Sequence, residues 1–204
     1  MDRRTFLFSF GMLSFGISMP FKTIASSKTL VVYFSKTGEQ YGVGVISKGN
    51  TAIVAEIIAQ KTGADLCEIT VENDTYPTQY KPLCDVAKIE LNNKARPAYN
   101  KTVADISGYD VIFIGAPVWW GDWPMVMYTF FEHENLAGKT LIPFSTHAGS
   151  GLSGFDKKLA TANPKSKVAA GLAITGTDAQ NNSSRVSGAV DVWLKKLAEQ
   201  GIAF

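Results

Sequence analysis

The chain has 204 residues, enough for one domain with a substantial core. Its composition, 46% hydrophobic and 19% charged, is that of a globular protein and excludes a disordered or low-complexity chain. A formal net charge of +2 is too small for a nucleic-acid-binding footprint, and the sequence contains no internal repeat or block of like charge.

Residues 1–25 read as an export signal and residues 26–204 as the mature domain. Arg3 and Arg4 precede a moderately apolar run, Phe6 to Met19, softened by Gly11, Ser14, Gly16 and Ser18. Such a run is short for a bilayer span and suits the apolar region of a secretory signal. The stretch RRTFL resembles the twin-arginine signal R-R-x-F-L, departing from it at Asp2, where that signal has Ser or Thr. Thr23 and Ala25 put small residues at a weakly marked cleavage site, and an uncleaved membrane anchor is the alternative. Losing residues 1–25 removes Arg3, Arg4, Lys22 and Asp2, which leaves 17 basic and 17 acidic residues. The expectation is an exported, periplasmic protein, nearly neutral when mature and with no stable membrane insertion after cleavage.

In the mature chain, strand-like runs alternate with helical patterns. Thr29–Phe34 is a β-branched and aromatic strand. Asn50–Lys61 is a helix with Ile53, Val54, Ile57 and Ile58 on one face. Asp65–Val71 is a second strand, and Tyr80–Lys94 a helix that tolerates Pro82 in its first turn. Asp110–Gly115 is apolar on both faces, as central parallel strands are. A helix over Met125–Glu134, a strand over Thr140–Phe144, a short helix near Phe155–Ala162 and a strand near Val168–Thr175 follow. The final helix carries the stripe Val186, Val190, Trp193, Leu194 and Leu197, with Trp193 as core. Five strands alternating with five helices predict an α/β domain with a parallel sheet and right-handed crossovers. Ligands of such sheets bind beyond the carboxyl ends of the strands. That directs attention to the loops after Phe34, Gly115 and Phe144. Cys67 and Cys84 either pair in an oxidising compartment or remain two buried thiols.

The loop after Phe34 is rich in glycine and admits three phosphate-binding readings. Gly42-Val43-Gly44 begins a dinucleotide fingerprint, but Ser47 stands at its third glycine and the motif lies too far from the strand. Gly44 to Thr51 matches a P-loop except at the lysine, where Asn50 stands, so a nucleotide triphosphatase would lack the charge that holds its phosphates. The third reading splits the loop. Ser35-Lys36-Thr37-Gly38 follows the strand directly and Asn50-Thr51 opens the helix, with Glu39–Gly49 as an insert. Hydroxyls and the N–H groups of a helix N-terminus can wrap a monophosphate without a paired cation.

Omitting the insert leaves S-K-T-G-N-T, which resembles the [ST]-x-T-G-N-T fingerprint of the flavodoxin-like family. After the third strand, Pro117, Val118, Trp119, Trp120 and Gly121 resemble the P-x-W-W-G loop that this family places beside the flavin ring. After the fourth, Thr146, His147, Gly149 and Gly151 resemble the T-H-x-G-S-G run of a third flavin-contacting loop. The three motifs occur in the required order, each after the required strand, and the resemblance spans the mature chain. It implies a flavodoxin-like three-layer sandwich with strand order 2-1-3-4-5, FMN as cofactor and no metal.

The implied function is electron transfer through the isoalloxazine, to a redox partner protein or a small-molecule acceptor. The chemistry is flavin-borne, and His147 is the one residue in reach of a catalytic role. Trp123 is expected to be structural and His133 to lie at an exposed helix end. An FMN-dependent NAD(P)H:quinone-type oxidoreductase is the alternative, and a P-loop-like nucleotide-binding protein the outside one. Whether the insert, with Tyr41 at its tip, covers the flavin or meets a partner stays open at this stage.

Overall fold

The structure, a computed structural model, describes residues 27–204; the expected export signal lies outside the described residues. At its centre is β1 (Thr29–Phe34), buried at every position because it is sandwiched between two parallel neighbours and two helical layers. Those neighbours are β4 (Asp65–Val71) and β6 (Val111–Pro117). Beyond β6 lies β7 (Thr140–His147), and beyond β7 two short parallel pieces, β8 (Lys167–Val168) and β9 (Leu172–Thr175). Taking β8 and β9 as one broken strand, the parallel set runs 2-1-3-4-5, the order expected from sequence.

Side chains alternate across the sheet. Leu30, Val32 and Phe34 of β1 enter one core with Leu83 of α2 (Tyr80–Asn92), Val126 and Phe130 of α3 (Met125–His133) and Phe155 and Leu159 of α4 (Phe155–Ala162). Val31 and Tyr33 enter the other. There they meet Val54 and Ile58 of α1 (Asn50–Thr62), Ala179 of α5 (Gly176–Asn181) and Trp193 and Leu197 of α6 (Ser183–Glu199). Gly115 is fixed by this packing, since a Cβ there would run into the ring of the fully buried Phe144.

Several elements differ from expectation. The predicted last strand is broken opposite Pro143, which offers no N–H to its neighbour, and one extra residue fits between Val168 and Leu172. A seventh strand, β5 (Tyr99–Lys101), pairs antiparallel with β4 at the sheet edge. The insert forms its own hairpin, β2 (Gly38–Gln40) and β3 (Gly44–Ile46). Helix α2 stops at Asn92, and Lys94 beyond it has φ +48°. β6 and β7 run past Gly115 and Phe144 because their ladder continues through Ala116–Ser145 and Pro117–Thr146. Cys67 and Cys84 are both free thiols. Among the described residues no helix is long and apolar enough to cross a membrane.

Candidate functional site

The split loop closes as a single site. Gly49, the residue before α1, rests on Ser35 and Lys36: a Cβ on it would meet the Ser35 hydroxyl and lie 2.8 Å from the Lys36 carbonyl oxygen. The chain therefore leaves the site after Lys36 and re-enters it at Gly49, with the hairpin as an excursion between. The Ser35 Oγ accepts the N–H of Ala52 at 3.1 Å, so the strand end caps the first turn of α1. The N–H groups of Asn50 and Thr51 meet no acceptor among the described residues and remain the free donors of that helix end. Neither a P-loop nor a dinucleotide fingerprint forms, because Gly44–Ile46 is a strand and Gly42 lies in the hairpin turn.

The other members of the fingerprint divide. Thr51 is buried, and its Oγ1 lies 2.8 Å from the equally buried Oγ1 of Thr146 on β7. Two hydroxyls carry two protons; this bond uses one, and the other has no acceptor among the described residues. Asn50 turns toward α5, its Oδ1 accepting from Gln180 Nε2 at 2.8 Å, and the Gln180 amide also donates to the Lys48 carbonyl at 2.9 Å. Thr37 is exposed. The Lys36 side chain runs away from the helix end into a bidentate contact with Asp74, at 2.9 and 3.1 Å. Gly38 belongs to the hairpin base, against Thr78.

After β6 the chain makes a tight turn. Trp119 and Asp122 exchange backbone hydrogen bonds of 2.9 and 3.0 Å around Trp120 (φ +52°) and Gly121 (φ +75°), the signature of a type I′ turn. Val118 donates its N–H to the Thr146 carbonyl, locking this turn to β7. Trp119 is half-buried and stands edge-on to Phe34 and Tyr76, with centroids 5.4 and 5.3 Å away. Trp120 is 53% exposed; its indole N–H donates to the Cys84 carbonyl of α2, and Lys88 lies 4.6 Å above its ring. Asp122 steadies the turn by accepting from Trp123 N–H, Tyr128 O–H and Lys158. Trp123 is core, stacked on Phe155 at 3.6 Å.

The third loop follows His147. Its Nδ1 accepts the N–H of Gly149 at 3.0 Å, which leaves the proton of the neutral ring on Nε2. Burial depresses the His147 pKa below its ordinary 6.5, so the neutral form prevails at neutral pH. Gly149 and Gly151 both have positive φ, and the Gly151 carbonyl accepts from the Ser145 hydroxyl. Since Tyr33 pairs with Gly115, Pro117 with Thr146 and His147 with Thr175, the loops after β1, β6 and β7 sit side by side at one sheet edge.

Two features escape sequence reasoning. Helix α5 supplies Gln180, which holds Asn50 from 130 residues away. A cavity of about 440 Å³ opens between the hairpin, α2 and the Trp119–Trp120 turn. Tyr80 and Trp120 stand exposed in its wall, and Tyr41 lies against Tyr80 with ring centroids 5.9 Å apart. His133 lies exposed at the end of α3. Among the described residues no cluster of His, Cys, Asp and Glu is placed to hold a metal ion.

Comparison with known proteins gives the same frame. A search of curated proteins found no match. Among solved structures, a presumed flavoprotein of Bacteroides uniformis is 29% identical, with 83% of this chain and 99% of that one covered and a TM-score of 0.65. A second, from Bacteroides eggerthii, is 30% identical over 81% and 97%, with a TM-score of 0.59. A flavoprotein of Lactobacillus acidophilus, solved in complex with FMN, shares the fold at 24% identity, 78% and 99% coverage and a TM-score of 0.57. The flavodoxin family model matches residues 28–188, a span that begins just before β1 and takes in all three loops. The chain belongs to the flavodoxin family.

Proposed function

We propose that the protein binds one FMN at the carboxyl edge of β1, β6 and β7 and serves as a flavodoxin-like electron carrier. The observation that carries this reading is the meeting of Ser35 with Gly49 and with the Ala52 N–H, which rebuilds an interrupted phosphate loop in space. The residues fit a phosphate ester. Asn50 and Thr51 offer unbonded N–H groups, the Thr51–Thr146 pair has a proton to give, and Thr37 adds a hydroxyl. Ser35 positions the helix end, and the Lys36 charge is neutralised by Asp74, so the helix end and the hydroxyls carry the phosphate, as one phosphate requires.

Bound FMN supplies reversible electron transfer through its isoalloxazine. The chain's part is to hold and shield it. Val118–Gly121 and His147–Gly151 would hold the ring, with Trp119 fixed by Phe34 and Tyr76 as a rigid apolar wall. The type I′ turn presents backbone groups locked to β7, and neutral His147 keeps a proton at Nε2 for donation. The acceptor is a redox partner protein or a small molecule, and residues 1–25 direct twin-arginine export to the periplasm. The RRTFL stretch supports the export reading.

The test is direct. The purified protein should show the visible absorbance of bound flavin or acquire it when FMN is added. Thr37→Ala should weaken FMN more than riboflavin, which lacks the phosphate. A colourless protein that takes up no FMN overturns the reading. For export, Arg3→Lys with Arg4→Lys should trap the protein in the cytoplasmic fraction; unchanged fractionation refutes that step.

A further inference from the structure

The β2–β3 hairpin leaves the chain after the phosphate-loop residues Ser35 and Lys36 and returns at Gly49, so it is rooted at the carboxyl end of β1. It is too small to fix its own position. Its strands have three residues each, Ile46 is the one buried among them, and Val45 and Tyr41 are 83% and 64% exposed. A two-stranded hairpin is marginal by itself, so contacts with the body decide where it lies.

Those contacts fall on opposite sides of the sheet. On one side the Glu39 N–H donates to the Thr78 carbonyl at 2.7 Å, and the Glu39 carboxylate accepts the N–H of Tyr80, the first residue of α2, at 2.9 Å. Tyr41 lies against the Tyr80 ring. On the other side a Cβ on Gly42, in the hairpin turn, would lie 3.9 Å from the Thr177 hydroxyl of α5. The Lys48 carbonyl, just past β3, accepts from Gln180 of the same helix. Helix α2 enters one core through Leu83 and α5 the other through Ala179. A segment rooted at β1 and tied to both helical layers arches over the carboxyl edge of the sheet.

One group opposes this closure. Gln40 Nε2 is buried with no hydrogen-bond partner, a state that costs free energy and that opening would relieve by hydration. A few latching bonds set against a stranded donor suit a segment that opens locally while the domain stays folded.

We propose that the hairpin is a strap over the FMN site that opens to admit and release the cofactor, with Glu39 as its latch and the stranded Gln40 amide favouring its release. The inference rests on the FMN reading and concerns the regulation of that site. Glu39 spends its bonds on α2 and its approach, so the strap gates without gripping. A gate that makes no differential contact with its ligand changes entry and release by the same factor and leaves the dissociation constant unchanged.

The test is stopped-flow mixing of the full-length, flavin-free protein with FMN, with entry read by the change in flavin fluorescence and release by its reversal on dilution of the loaded protein. Glu39→Ala should raise both rates about threefold to tenfold at constant Kd. Glu39→Gln, whose amide oxygen can still accept the Tyr80 N–H, should return them most of the way to the parent values. Gln40→Leu should lower both rates by a similar factor, because its closed state strands no donor. Circular dichroism checks that each variant folds. Rates unchanged in either Glu39→Ala or Gln40→Leu would overturn the strap. So would faster release with unchanged entry in Glu39→Ala, which would make the hairpin part of the grip on the cofactor. A protein that takes up no FMN refutes the FMN reading itself, and the gate falls with it.

Discussion

The buried hydroxyl pair of Thr51 and Thr146 can be tested by a double-mutant cycle. Thr51→Val keeps the shape of the side chain but leaves the Thr146 hydroxyl buried with no partner, and Thr146→Val does the reverse. Stranding one buried polar group costs about 1–3 kcal/mol, whereas removing both can be nearly neutral. Each single variant should thus lose about 2 kcal/mol, or about 4–8 °C in Tm for a domain of this size. The double variant strands no polar group, so it should lose less than either single and fall short of the sum by more than about 2 kcal/mol. Urea unfolding of the flavin-free proteins reads this without the contribution of bound ligand. In the same set, Thr51→Val should weaken FMN more than riboflavin, because the spare hydroxyl proton is assigned to the phosphate. Singles that add within about 0.5 kcal/mol would refute the pairing. Equal losses of FMN and riboflavin would refute the phosphate assignment.

Other outcomes follow from the packing and the site. Gly115→Ala should cost about 1–3 kcal/mol by overpacking against Phe144, and Phe144→Leu in the same chain should recover part of it in thermal melts. Gly49→Ala should push Ser35 and Lys36 off the helix start and reduce FMN retention in a gel-filtration assay; full retention would contradict the close approach. Because the folded pKa of His147 is depressed, the unfolded chain binds more protons below about pH 6.5. Stability contributed by this residue is complete above that pH and declines as pH falls, and His147→Asn should flatten that part of the profile measured by urea unfolding. Excising Glu39–Lys48 should leave the fold and FMN uptake intact, read by circular dichroism and flavin absorbance, because the ends of the excursion already meet at Gly49 and Ser35.

Sequence reading succeeded where local pattern and tertiary demand agree. β1, β4 and α4 fall on their predicted residues because their apolar patterns are bounded by strong turn residues. β5 was invisible: Tyr99-Asn100-Lys101 has no strand pattern, and it is held by pairing with β4, by Tyr99 against Phe130 and by Lys101 and Tyr99 on Glu134. Helix α5 was missed because Gly-Thr-Asp-Ala-Gln-Asn is a poor helix former; the Thr175 hydroxyl, which accepts the Asp178 N–H at 3.0 Å, starts it. The split loop was legible because both halves of the fingerprint stand in sequence. The partners of those halves were not, since Asn50 meets Gln180 and Thr51 meets Thr146 only through the sheet order. The cavity was beyond sequence reasoning for a similar reason: three segments with no shared motif converge on it.

The approach of Gly49 to Ser35 has a further meaning for how such a protein can change over generations. A segment whose two ends nearly touch can grow, shrink or be exchanged with little consequence for what lies beneath, since loop length enters the closure entropy only logarithmically. The part that grips the cofactor and the part that faces outward are thereby placed under separate selection. New contacts can be tried in the excursion, residue by residue, while the redox centre below it is inherited unchanged.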